Sequence, residues 1–441
     1  MNRRELTAIG FMTFALFLGA GNLIFPPLMA QQAGDNWLLA IAGFLVTAVG
    51  LPALALLILS RLPSVEHLAA GLPKWMDRSF WMLIFITIGP AFALPRAVTV
   101  AYEMGIKPFY SGNGLLLFSA IFCGLTLLLA LKPGQLVHYI GKVMTPALIL
   151  MLTALTLFAL FNPLGDASEA IDTYQKTPVI NGLTQGYMTL DALAALVFGW
   201  VIINAVRTAS ASKPESSQRN ITVIIAIYAL LMSLCYLSMG YLGATSSDIA
   251  ANASNGGAIL AAYAVGQFGF VGKVMLAVIT LLACLTTTVG ITTANAHYLK
   301  NTYGVKFALS AAGISLLTAI ISNVGLETLI QVSLPLILIL CPMAIALVMV
   351  VVLLPNKSTN GKRTISKSQT FTVTIAALFG TLDAFMIVGK LPSSIMEFGQ
   401  QWLPLFNENL SWLMPVIITM FVFKAARQLS QNQQAETASA Q

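Results

Sequence analysis

The chain has 441 residues, 57% hydrophobic and 9% charged, with a mean hydropathy of +0.83. Soluble proteins carry roughly 25% charged residues, so these values exclude an ordinary soluble fold and indicate an all-α integral membrane protein. The formal net charge of +7 is a topology signal rather than a nucleic-acid footprint, because of where the basic residues fall.

Twelve candidate spans follow in chain order: 7–31, 37–60, 80–104, 113–131, 136–162, 179–206, 219–243, 271–300, 305–322, 326–354, 370–390 and 411–426. Each is near or above the ~20 residues needed to cross ~30 Å of hydrocarbon. The first apolar stretch is too long and irregular for a cleavable signal peptide. Residues 256–268 read as a surface helix ahead of span eight, and the Gln-rich tail at 428–441 reads as disordered. No linker is long enough to separate two domains, so 1–441 reads as a single transporter domain. With the N-terminus inside, seventeen of the 23 lysines and arginines fall on the cytoplasmic side, among them Lys213, Lys357, Lys362 and Arg363. Only Lys107, Lys176, Lys273 and Lys390 fall outside, which orients both termini to the cytoplasm.

Span one is interrupted by Gly19-Ala20-Gly21-Asn22-Leu23-Ile24-Phe25-Pro26-Pro27. Unpaired backbone groups cost several kcal/mol in hydrocarbon, so such a break survives only where it is buried in protein or lines a cavity. Glycine loosens the helix and proline cannot donate. The carbonyls before the break (Ala15, Phe17, Leu18) then suit a cation, and the amides after it (Gly21, Asn22, Leu23) suit a carboxylate.

In span three, Arg96 and Glu103 are seven apart, on one helix face. Both are expected to turn inward, either to gate a pathway or to lock the span to its neighbours. Lys142 in span five can snorkel to the inner surface. Asp191 lies well inside span six and needs a partner, water or a proton. The readings open to it are coordination of a cation or substrate amine, and an ion pair with Arg96 or Lys142. Span eight carries Thr286-Thr287-Thr288, whose hydroxyls either bond back to their own helix or offer hard oxygen ligands to Na+.

The four cysteines fall in apolar segments and read as buried thiols. The three histidines have no metal-ligand spacing. Polar residues are too few and clustered to line a channel, and no nucleophile with a base points to an enzyme.

FLGAGNLIFPP in span one, GPAFALPRAVTVAYE in span three and TLDALAALVFGWVIINA in span six resemble the bacterial branched-chain amino acid:cation symporters, the leucine/isoleucine/valine carriers. The resemblance runs over essentially the whole chain. It implies twelve transmembrane helices in a LeuT-like fold, with five-plus-five inverted repeats over 1–162 and 179–354 and discontinuous helices one and six. Two further helices would cover 370–426, followed by a cytoplasmic tail at 427–441. It also implies import of Leu, Ile or Val across the bacterial inner membrane by alternating access.

Similarity to sodium-coupled amino acid symporters of that fold aligns GAGN with their helix-one break and Leu285-Thr286-Thr287-Thr288 with their helix-eight sodium motif. A sodium site is then implied at the carbonyls of Ala15, Leu18 and Ala283 and the hydroxyls of Thr286 and Thr287. Substrate residues are implied at Gly19, Ala20, Gly21, Asn22, Thr189, Asp191, Phe198 and Ile291, with the carboxylate at the amides of Ala20 and Gly21. Asp191 departs from the small hydroxyl residue those symporters carry, and span three lacks a tyrosine to clamp the carboxylate. Some proton-driven relatives replace the sodium by a lysine in helix five, which leaves H+ coupling through Lys142 or Asp191 as the alternative. The partners expected are a small amino acid and the bilayer, without nucleic acid.

Overall fold

The computed structural model describes residues 1–110, 112–210, 217–353 and 367–439, and every regular element among them is helical. Of the loop cations expected inside, Lys213, Lys357, Lys362 and Arg363 lie outside the described residues. Among the described residues, nine helices are long and apolar enough to cross a membrane by length and composition. The difference from twelve has a local origin. The first half of span one is only 15 residues long, its second half runs on into span two, and Leu115–Ala130 and Leu413–Ala426 are shorter apolar helices.

The chain packs as two compact units, one of residues 1–61 and 84–333, the other of 62–83 and 334–441. In the first, α1 (Arg3–Phe17) starts at a capping box. The Asn2 side chain accepts from the Glu5 amide at 2.7 Å, and Glu5 Oε2 accepts from the Asn2 amide at 3.0 Å. Then come α2 (Ala20–Ala33), α3 (Trp37–Leu45) and α4 (Leu51–Arg61). Most of α5 (Lys74–Ile86) belongs to the second unit; the first resumes at its end, where the chain is irregular over Thr87–Ala91 and Gly89 leaves helical geometry ahead of Pro90 and α6 (Ala93–Gly105). The unit continues with α7 (Leu115–Ala130), α8 (Thr145–Phe161), α9 (Pro178–Met188), α10 (Asp191–Ala209), α11 (Ser217–Ala244), α12 (Gly256–Tyr303) and α13 (Phe307–Ile321). The piece read as a surface helix is the start of α12, set off by a bend at Gly269 (φ +55°) and half-buried through Ile259, Leu260 and Tyr263.

In this unit α3 runs along α9 in an extensive helix–helix contact. A Cβ at Gly43 would overlap the Val179 carbonyl, and one at Gly182 the Ala40 carbonyl. Thr47 Oγ1 also donates across to the Leu183 carbonyl at 2.9 Å. Small residues and interhelical hydrogen bonds are what hold helices together where the hydrophobic effect does not act between them.

In the second unit, most of α14 (Leu326–Leu353) joins α15 (Lys367–Ile387), α16 (Ser393–Trp402) and α17 (Leu413–Ser439). The helix reaches Ser439, through most of the stretch expected to be disordered. Gln, Ala and Glu are good helix formers and extend a helix already nucleated by an apolar span. All four cysteines are buried and free.

Candidate functional site

The first unit contains two broken helices. α1 stops at Leu18 (φ −69°, ψ 82°) and α2 restarts at Ala20 after an extended Gly19. The prolines expected to help make this break instead lie inside α2 at its seventh and eighth positions. They remove the ladder bonds to Asn22 and Leu23, while Gly19 makes the gap. α9 stops at Met188 and α10 restarts at Asp191, with Leu190 between them in the left-handed region at φ +69°. A branched side chain there costs about 1–3 kcal/mol, a kind of strain that gathers at functional sites.

Asn22 ties the two breaks together. Its Oδ1 accepts from the Gly19 amide at 3.1 Å, and its Nδ2 donates to Asp191 Oδ2 at 2.8 Å. Tyr236 of α11 donates to the same Oδ2 at 2.6 Å and also meets Asn22 Nδ2. Asp191, 3% exposed, is thus held by two neutral donors, and among the described residues it has no ion pair within 4.0 Å. Its backbone amide donates to Thr189 Oγ1 at 3.3 Å. Arg96 of α6 caps the other side of the break: Nη1 donates to the Met188 carbonyl at 3.0 Å and Nη2 to the Thr189 carbonyl at 3.2 Å.

These groups surround a small cavity. All eight residues expected to meet substrate line it: Gly19, Ala20, Gly21, Asn22, Thr189, Asp191, Phe198 and Ile291. Arg96 and Thr287 line it too. The apolar wall also contains Phe17, expected only as a carbonyl ligand, and Ile88, Ala93, Ala97 and Ala194, which sequence reasoning did not single out. Phe17 and Phe198 meet edge to face with centroids 5.1 Å apart. Tyr236 was missed as well. Its signal was indirect: a buried Asn and Asp demand a polar partner, but tyrosines are common in apolar spans.

Beside the cavity, the end of α1 meets α12 in a knot of oxygens. Thr286 Oγ1 donates to the carbonyls of Ala15 at 2.8 Å and Ala283 at 2.9 Å. Thr287 Oγ1 lies 2.9 Å from the Leu16 carbonyl, 3.3 Å from Leu18 and 3.4 Å from Ala15. The five oxygens expected to hold a cation therefore cluster, with the Leu16 carbonyl among them rather than that of Phe17. Two hydroxyl protons face four carbonyl oxygens, and the last carbonyls of α1 have no helical donor. The set is neutral, hard and free of carboxylate, which fits a monovalent cation rather than a divalent one.

Two expectations are corrected. Glu103 does not turn inward: it pairs with exposed Lys107 at 2.7 Å, because by that turn α6 has reached the surface. The i, i+4 Glu–Lys spacing was the overlooked signal. Lys142 is exposed on the helical segment Val137–Met144, as snorkelling requires, and is neither a lining residue of the cavity nor the ion-pair partner of Asp191.

Residues 2–430 match the family described as branched-chain amino acid transport protein. The chain is 38% identical over 424 residues to the branched-chain amino acid transport system 2 carrier protein of Pseudomonas aeruginosa, covering 94% of each chain. It is 36% identical over 423 residues to the branched-chain amino acid permease BrnQ of Escherichia coli, covering 95% of this chain and 94% of that one. Both are named as a carrier or permease, not as enzymes. The fold is shared with MHP1, a nucleobase-cation-symport-1 family transporter solved in a closed conformation with bromovinylhydantoin bound. That likeness has a TM-score of 0.64 at 12% identity and covers 97% of this chain and 93% of the other. A broken-helix cavity on a transporter fold, together with these relatives, makes the chain a multi-pass membrane protein belonging to the branched-chain amino acid transport protein family.

Proposed function

We propose that the chain is a secondary symporter that imports leucine, isoleucine and valine with Na+ by alternating access. The observation that carries the reading is the joining of both helix breaks, through Asn22, around one cavity beside the acceptor-rich oxygen knot. The substrate carboxylate would bind the unpaired amides of Ala20 and Gly21 at the positive end of α2. Its ammonium would be balanced by Asp191, and its aliphatic chain would lie against Phe17, Phe198 and Ile291. Na+ would share the Ala15, Leu18 and Ala283 carbonyls with the Thr286 and Thr287 hydroxyls. Because the end of α1 serves both ligands, each would stabilise the arrangement the other needs, and that shared stabilisation is the source of coupling.

The corresponding positions of the two breaks, spans one and six of twelve, support the five-plus-five inverted repeat. The loop charge bias supports cytoplasmic termini in the bacterial inner membrane. H+ coupling through Asp191 is the alternative, favoured by its buried carboxylate in the cavity lining; Lys142 is too exposed to serve.

Equilibrium binding of radiolabelled leucine to the purified protein tests the reading. Affinity should rise at least tenfold when K+ is replaced by Na+, and valine and isoleucine should compete. Binding indifferent to Na+ but strengthened by acid would favour the alternative.

A further inference from the structure

Two half-helices end at the cavity, and their terminal carbonyls are served by different chemistry. A helix C-terminus carries roughly half a negative charge. At the end of α1, that charge faces only the neutral hydroxyls of Thr286 and Thr287. At the end of α9, it faces a guanidinium, with Arg96 Nη1 and Nη2 on the carbonyls of Met188 and Thr189.

Arg96 is 5% exposed, and its guanidinium lies 5.6 Å from the Phe25 ring centroid. Its Nε is buried without a hydrogen bond, so the side chain is not simply satisfied by its surroundings. Arginine keeps its charge in such a place where lysine can lose it. Room for it is made by α2: a Cβ on Gly21 would lie 2.7 Å from Nη2. The same cavity holds Asp191, so the fixed charges there are one positive and one negative.

We infer that Arg96 is a tethered cation, filling at α9 the role the travelling ion fills at α1. One ion, not two, then accompanies each amino acid. The inference rests on the symport reading above. A second mobile cation at the end of α9 would meet the guanidinium at close range, and like charges exclude one another there.

The test is the ion-to-leucine ratio, measured from reversal potentials in proteoliposomes holding the full chain. Wild type should give one Na+ per leucine, and a ratio of two would overturn the inference. Arg96→Lys, measured at a pH low enough to keep the lysine charged, should keep the wild-type ratio. Arg96→Gln removes the tethered charge, so the Hill coefficient for Na+ should rise from about 1 to about 2, with the ratio rising to match. A Gln variant that transports at the wild-type ratio would make Arg96 a structural cap only and refute its role as an ion. Should that variant bind no leucine, raising the pH on Arg96→Lys decides: loss of the lysine charge should raise the ratio, and an unchanged ratio refutes the ionic role. Leucine accumulation driven by neither a Na+ nor a proton gradient would remove the symport reading itself, and this inference with it.

Discussion

Asp191 shows why the site depends on individual polar atoms. A carboxylate buried to 3% exposure is tolerable only while its oxygens are served, and Oδ2 takes donors from both Tyr236 and Asn22. Tyr236→Phe deletes one of them without altering packing. Leaving a buried acceptor short costs about 1–3 kcal/mol, so leucine binding should weaken roughly 5- to 150-fold, read by the same binding assay. An unchanged affinity would detach Tyr236 from the site. Thr287 belongs to the proposed ion site. Thr287→Ala removes the hydroxyl that meets Leu16, Leu18 and Ala15, and the Na+ concentration for half-maximal leucine uptake should rise by about tenfold or more. The maximal rate at saturating Na+ should change less. A variant with the wild-type Na+ response would remove Thr287 from the ion site.

At the scale of elements, the cavity exists because helices stop where they do and because their neighbours approach closely enough to hold the stumps. α3 grips α9 through Gly43 and Gly182, and α9 ends at the cavity. Gly182→Leu should force the pair apart and lower the melting temperature of the solubilised protein by several degrees, since overpacking costs typically 1–3 kcal/mol. Gly313→Leu on α13, with open space around its Cβ position, should leave it unchanged. Equal melting temperatures for the two variants would contradict the packing.

The break in span one was legible because glycine and asparagine in an apolar run have few other uses. Its position was less so, since the proline pair suggested a cause that proved to lie nearly two turns into α2. Asp191 was legible as costly, but its partners were not. They come from 169 and 45 residues away, and nothing in a single chain ranks one distant polar residue over another. Arg96 and Glu103 were read as a pair from helical spacing alone. Spacing shows which face a residue is on but not how far along the helix burial extends, so one entered the cavity and the other reached the surface.

Across the whole molecule, the fixed charges of the cavity balance, and the oxygen knot beside it has more acceptors than protons. Transport of a zwitterion with one monovalent cation then moves net positive charge inward, so uptake should accelerate when the interior is made negative. The most direct measurement is radiolabelled leucine uptake into proteoliposomes with a Na+ gradient and a proton gradient imposed separately. Accumulation above equilibrium under the Na+ gradient alone, enhanced by a negative interior, is the predicted result. Accumulation under the proton gradient alone, with Na+ on either side making no difference, would contradict it.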